Sequence, residues 1–589
     1  MRQRALGQTS PLEMLIPALD RAVARSLAEN IAEKHRLEFA RSFAAATVRA
    51  YCASLAAPAT PAEFPGDFRN VTLGPEALQA AAELGKAFVP LPTAEAVYLL
   101  GCIYTSALPA DFRAAHGIFY TPPEAVRHTL DMAERDGVDF ARARCLDPSA
   151  GGGAFVVELI ARLRITLEGI EPALVLSHIA ARIHGNDLDP FGAWLAQTAA
   201  HIAVADIESL SGRRLDSIIT VRDSLDLKNE DEENFDLVCS NVPFGRIRLS
   251  SERRMAYARS TYGHANLYAL FIDAGVRYAK PQGVVAYIIP TSMLSGLYFR
   301  ALRAFLKKEA PPHQVTFITE RTGVFEDALQ ETMLVTFRRG RKNRTGKVRF
   351  TSIDGEGAST AAGAFSLPRD PHAPWLLPRT PAQARLVATL RGMKHRLASY
   401  GYTVSTGPLV WNRFKPQLRA VRTTGALPII WAEAVTSDGR FIWRAERRNH
   451  EPWFAPKLPK DAWLVIDHGC VLLQRTTAKE QSRRLIAAEL PESFVARHGG
   501  VIVENHLNMI RAGSAAPSTP FSVIAAVLNS RAVDAAFRCI NGSVAVSAFE
   551  LEELPIPSPA TMRKIKTLIS GGASPADIER TIAEAYGLS

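Results

Sequence analysis

The chain predicts an α/β protein: a Rossmann-like domain, preceded by a helical extension and followed by a smaller α+β domain. Three observations carry this. Ala143, Cys145 and Leu146 lead into Asp147-Pro148, then Gly151, Gly152 and Gly153, then a helix-like run from Phe155 to Leu163, which reads as strand, tight turn, helix. Further short apolar segments end on acids or amides, at His184 to Asp189, Ser217 to Asp223 and Phe235 to Asn241. At 589 residues the chain exceeds one ordinary domain, and a Gly-, Ala- and Pro-rich stretch from about 350 to 385 offers a boundary.

Composition narrows the class. With 47% hydrophobic and 22% charged residues the chain reads as globular rather than disordered. No apolar run reaches the roughly 20 residues of a membrane span, Gly283 to Pro290 being strand-length, and Met1 to Asp20 lacks the apolar core of a signal peptide, so a cytoplasmic protein with no membrane partner is expected. The six cysteines are scattered without Cys-x-x-Cys or a histidine cluster, which argues against structural zinc and predicts no metal. A net charge of +10 points to a polyanionic partner. Gly346-Lys347 is not a phosphate-binding loop, since Gly340 lies one residue too far upstream and Val348 replaces the Ser/Thr.

Residues 1–115 carry Ala, Leu, Arg and Glu at helical spacing and are expected as a helical cap with no assigned chemistry. Thr121, followed by Pro122 and Pro123, suits a helix entry. In the glycine turn the backbone can take positive φ and approach a ligand, and Asp147 supplies a fixed negative charge suited to a cationic or amine-bearing group. An acid at the end of the second strand can accept hydrogen bonds from ribose hydroxyls. Its distance from the glycine turn exceeds the usual ~20 residues, which predicts an extended intervening helix or insertion. The strand Phe235 to Ser240 delivers Asn241-Val242-Pro243-Phe244. An aromatic amine is a poor nucleophile because its lone pair is conjugated; the Asn241 side-chain oxygen and the Val242 carbonyl could accept its hydrogens, and Phe244 could stack on an extruded base.

Taken together these motifs resemble the γ-type adenine-specific DNA methyltransferases of the class I S-adenosylmethionine-dependent fold, while Val471 to Glu480 and Val503 to Asn508 resemble the target-recognition half, and Asn541 to Ser547 with Leu554 to Pro557 the closing motif, of the PstI/BsuBI-type modification methylases. Asp-Pro-Ser-Ala-Gly-Gly-Gly-Ala-Phe, 147–155, meets every fixed position of motif I; Gly-Ile-Phe-Tyr-Thr-Pro, 117–122, resembles motif X; Asn-Val-Pro-Phe, 241–244, resembles motif IV with valine for the usual first proline. The resemblance implies S-adenosylmethionine as cofactor, held by Tyr120, Thr121, Pro122, Asp147, Ser149, Gly151, Gly153 and Phe155, with Asp187 on the ribose and Asp223 on the adenine amine. Asp189 is expected to shape its turn. Catalysis would fall to Asn241, Val242, Pro243 and Phe244, and Phe325 would line the pocket for the target base.

The resemblance covers about residues 115–560 and implies the following division: a helical extension over 1–115, a catalytic domain over 116–350, a linker over 351–390, and a target-recognition domain with C-terminal helices over 391–589. Between 391 and 500 basic residues outnumber acidic ones about two to one, with aromatics interleaved. Arg475, Lys479, Asn505 and His506 are the candidate DNA contacts, the last two alternatively a polar network that fixes a turn. The implied activity is base flipping and methylation of adenine N6 in double-stranded DNA, protecting it beside a separate restriction endonuclease. Two other readings stay open: methylation of another planar amine (RNA adenine, cytosine or protein glutamine), and a DNA-binding subunit without turnover, motivated by the loss of proline's fixed φ at Val242.

Overall fold

The computed structural model describes residues 21–64, 71–109, 111–113, 120–227, 232–318, 331–340, 347–353, 359–443, 450–476, 483–541 and 545–588. Contacts divide the chain into two compact units, one of 1–290, 304–348 and 353–359, the other of 291–303, 349–352 and 360–589.

The first unit holds seven strands of a nine-stranded sheet: β1 (Cys145–Asp147), β2 (Ile183–Asp187), β3 (Ile219–Val221), β4 (Phe235–Asn241), β5 (Ala279–Pro290), β6 (Pro312–Ile318) and β7 (Thr332–Arg338), with Lys347–Ile353 and Ser359–Ser366 continuing the sheet beyond β6. The seven stand in the order β6-β7-β5-β4-β1-β2-β3, with β7 antiparallel to both β5 and β6 and the pairs from β5 to β3 parallel. A strand flanked on both sides and covered on both faces should be apolar throughout. Gly283 to Pro290 of β5 is buried at every position, and Leu237, Val238 and Cys239 of β4 are 0% exposed. The order reverses beside β1, so the carboxyl ends of β1 and β4 open the crevice where ligands bind in such sheets. The α/β, Rossmann-like class expected from the sequence is the one found.

Helices α1 (Arg36–Ser54), α2 (Pro75–Ala87) and α3 (Thr93–Ala107) precede the sheet; α4 (Pro123–Arg135) enters it; α5 (Ala154–Thr166) and α6 (Pro172–Arg182) both lie between β1 and β2, and α7 (Pro190–Ala203) follows β2. The long gap after the glycine turn is therefore an additional helix, α6. The amino-terminal helices share one apolar core with α7: Phe43, Tyr104, Phe191 and Trp194 pack within it. Trp194 donates to the Ala62 carbonyl at 2.9 Å, so the extension is part of the first unit rather than a separate body.

The second unit holds a four-stranded sheet ordered Tyr402–Thr406, Leu507–Ala512, Cys470–Gln474, Ala487–Leu490, and a five-stranded one ordered Leu418–Arg419, Trp453–Phe454, Leu427–Ile430, Val501–Val503, Val465–Ile466. Helices Phe521–Leu528, Arg531–Ile540, Pro559–Ser570 and Pro575–Ala585 complete it. The stretch 351–390, expected as a linker, holds among its described residues the end of strand Lys347–Ile353, strand Ser359–Ser366 and most of helix Ala384–Gly392. Its glycines and prolines punctuate short elements, and Trp375 and Leu377 are buried. Among the described residues no helix is long and apolar enough to cross a membrane, and no group of three His, Cys, Asp or Glu is placed to hold a metal ion.

Candidate active site

The turn after β1 is fixed by backbone geometry and by neighbours. Gly153 has φ +84°, and a Cβ there would lie 2.9 Å from the Ala199 Cβ and 3.0 Å from the Ala196 Cα on α7, so glycine is required twice over. Asp187, at the end of β2, accepts from the Gly151 amide at 2.7 Å with one oxygen and from the Asp189 amide at 2.8 Å with the other. Asp189 caps α7 by accepting from the Phe191 amide, and Arg41 (2.9 Å) and Tyr104 (3.2 Å) of the amino-terminal helices donate to it. It shapes the turn, as expected.

Asp147 is 1% exposed at the end of β1. One of its oxygens accepts from the Ser240 hydroxyl at 2.7 Å and the Ser149 amide at 3.1 Å. Burial pushes its carboxyl up to about 7, against the lowering effect of those bonds, and Asp187 nearby adds to the rise. Burial likewise raises Asp187 to about 6. Neither carboxylate has a cationic partner among the described residues, so the buried Asp147 and the half-buried Asp187 are acceptors suited to a ligand that brings positive charge or hydrogen-bond donors.

Thr121 departs from its expected capping role. Pro122 holds the N-cap position of α4 without a side-chain cap, and the buried Thr121 hydroxyl instead accepts from Asn241 Nδ2 at 3.0 Å. That bond turns the Asn241 amide so that its Oδ1 is left to accept from a further donor. Tyr120, Thr121, Asp147, Ser149, Gly151, Phe155 and Asn241 line a single cavity, together with Val97 and Tyr98 of α3. The Tyr120 ring passes close to α3 at Gly101, where a Cβ would fall 2.3 Å from it.

The other expected residues, Pro122, Gly153, Asp187, Asp223, Val242, Pro243 and Phe244 among them, are not part of this lining. Val242 is 1% exposed and Pro243 and Phe244 are half-buried, with Phe244 edge-on to Tyr268 at 6.2 Å. Asp223 follows β3 and accepts from the Leu225 amide at 2.9 Å; its second oxygen pairs with Arg253 at 2.5 Å, and Arg253 also pairs with Asp226. In the second unit Arg475 donates from its guanidinium to the Asn505 carbonyl at 3.2 Å, while its amide donates to the His506 carbonyl at 2.8 Å. The His506 amide and Nδ1 both meet the buried Glu504 carboxylate at 2.8 Å. Arg475 and His506 tie this turn by hydrogen bonds, with the His506 side chain exposed. Phe325 and Lys479 lie outside the described residues.

Four contributors carried no signal that sequence reasoning could use. Val97 and Tyr98 are apolar helix positions indistinguishable from core, Ser240 is one serine before a motif, and Arg253 is one of many arginines.

Comparison with known proteins agrees with this picture. Residues 183–325 match the Eco57I restriction-modification methylase family model. The chain is 25% identical to the type II methyltransferase M.BsuBI of Bacillus subtilis across 75% of this chain and 87% of that protein. It is 22% identical to the type II methyltransferase M.PstI of Providencia stuartii across 56% and 67% respectively. The fold is also similar to that of the type IIL restriction-modification enzyme MmeI, solved in complex with DNA, with a TM-score of 0.51, 12% identity, and 89% of this chain and 82% of that one covered. The resemblance read from the motifs, to modification methylases of restriction-modification systems, is thus borne out.

Proposed function

We propose that the protein is a DNA methyltransferase that transfers a methyl group from S-adenosylmethionine to the 6-amino group of adenine flipped out of double-stranded DNA, the protective modification enzyme of a restriction-modification system. The observation that carries the reading is the Thr121–Asn241 bond, which joins motifs X and IV within the lining of a cavity that the buried Asp147 also lines.

The residues fit the cofactor. Asp147 would hold its ammonium, Asp187 its ribose hydroxyls and Asp223 its adenine amine, with Tyr120, Thr121, Pro122, Ser149, Gly151, Gly153 and Phe155 forming the wall. S-adenosylmethionine supplies a methyl group already activated on a sulfonium, so the protein's work is alignment and electrostatic support.

Asn241 Oδ1 and the Val242 carbonyl accept the two hydrogens of the target amine and draw its nitrogen toward tetrahedral geometry. Valine keeps the carbonyl that proline would present, and its side chain is buried. Phe244, held edge-on by Tyr268, presents a face for stacking, and Pro243 stiffens the segment between them. No base of matched pKa is needed before the methyl moves.

Labelled methyl transfer to plasmid DNA and to RNA, followed by nucleoside digestion, tests this. Label in 6-methyladenine of DNA supports the reading; label in cytosine, RNA or protein moves the same site to another planar amine.

A further inference from the structure

Seven tryptophans are present, and five of them lie in the second unit between 411 and 463. Trp431, Trp443 and Trp453 pack against His450, Phe494 and His498 and build the interior of this region. Trp463 does not: it is 61% exposed, next to Leu458, which is 65% exposed, and Trp411 is also exposed. Phe414 sits between the two segments, with its ring centroid 5.9 Å from Phe454 beneath and 6.4 Å from Trp463. A large indole left this open is costly unless something covers it in use.

Its surroundings say what kind of partner that is. The two segments, 411–425 and 455–463, contain six cations and one acid, Asp461. Asp461 is 4% exposed, and its carboxylate is taken up inside, accepting from Gln417 Nε2 at 2.6 Å and the Lys457 amide at 2.8 Å, which staples the segments together. Arg419 is bound to the backbone carbonyls of Pro416 and Leu418, and Arg422 lies over Trp453. Arg413, Lys415, Lys457 and Lys460 are exposed and form no ion pair with an acid among the described residues; Lys415 stands 5.6 Å over the Trp411 ring. Exposed aromatic and aliphatic groups ringed by uncompensated cations match a polyanion that also offers flat apolar faces.

We propose that this patch is a duplex-DNA contact surface, in which Trp463 and Leu458 pack on sugar and base edges while Arg413, Lys415, Lys457 and Lys460 hold phosphates. The surface is separate from the braced turn of Arg475, Asn505 and His506, and the proposal rests on DNA being the substrate.

The test measures binding of the full-length protein to a fluorescein-labelled 30-base-pair duplex, alongside methyl transfer to plasmid DNA. Trp463→Ala should weaken binding roughly tenfold, Trp463→Phe should restore most of it, and Lys457→Gln with Lys460→Gln should lower the slope of log affinity against log salt by roughly two. In each variant, S-adenosylhomocysteine binding at the wild-type value shows that the chain is folded. Acrylamide quenching of tryptophan fluorescence should fall when DNA is added to wild type. If wild type binds and methylates DNA while all three variants bind like it, the surface serves something else, a protein partner included, and the proposal is overturned. If wild type neither binds nor methylates duplex DNA, the substrate reading and this proposal fall together.

Discussion

The crevice of the first unit and the turn region of the second respond differently to the same kind of sequence reading. In the crevice residues named from motifs converge: Thr121, the pair Asp147 and Gly151, and Asn241 come from three separate segments and line one cavity. In the second unit the residues named as DNA contacts, Arg475, Asn505 and His506, bond to one another's backbone and to Glu504. His506 is itself exposed but tied to Glu504, whereas Trp463 is exposed beside Lys457 and Lys460, which are exposed with no ion-pair partner among the described residues. A motif is legible when backbone geometry dictates the residue type; a recognition surface depends on which side chains the fold leaves outside.

The largest expected effect that would break this contrast is at Asp147. Asp147→Asn should weaken S-adenosylmethionine binding by roughly a hundredfold, the scale of losing a buried charge partner. It should also stabilise the ligand-free protein at neutral pH. With the carboxyl at about 7 in the fold against 3.8 ordinarily, the folded chain holds more protons than the unfolded one between those values. Through this group the stability of the wild type therefore falls as pH rises across that window, by at most about 1.4 kcal/mol per unit, and the Asn variant should show a shallower slope, with the contribution of Asp187, raised to about 6, remaining. Thermal melts from pH 4 to 8 read it directly.

Ser240→Ala comes next. The hydroxyl lowers the Asp147 pKa, so its loss should push that carboxyl further up and weaken cofactor binding roughly tenfold near pH 7, with recovery toward pH 8.5. A loss independent of pH would show that Ser240 only fills space. Asp189→Ala removes the cap of α7 and a partner of Arg41 and Tyr104; about 1 kcal/mol of stability should go, seen in denaturant midpoints, with methyl transfer at saturating cofactor nearly unchanged. The smallest effect is at the braced turn: His506→Ala should change DNA affinity by no more than about twofold, within the ~0.5 kcal/mol typical of surface substitutions. A much larger loss there would restore the turn as a DNA contact and narrow the difference between the two regions.

How much could be read in advance follows the same division. The strand ending on Asp147, the glycine turn, the acid at Asp187 and the strand ending on Asn241 all follow from periodicity and turn chemistry, and the extra helix α6 was implied by spacing alone. The role of Thr121 was not legible, because Thr-Pro-Pro suits a capped helix equally well and only tertiary structure brings Asn241 beside it. The same holds for Val97 and Tyr98, which become cavity wall only because α3 packs against the glycine turn. The stretch 351–390 misled because glycine and proline mark the ends of short strands as readily as a linker.

Asn241→Ala tests the central claim most directly, with S-adenosylhomocysteine binding measured by calorimetry and labelled methyl transfer to duplex DNA measured on the same preparation. The account predicts binding within about twofold of wild type and transfer reduced roughly a hundredfold or more, since Asn241 acts on the target amine while the Asp147 cradle is intact. Transfer at the wild-type rate in the variant, or wild type that binds cofactor and transfers nothing to DNA, would contradict it.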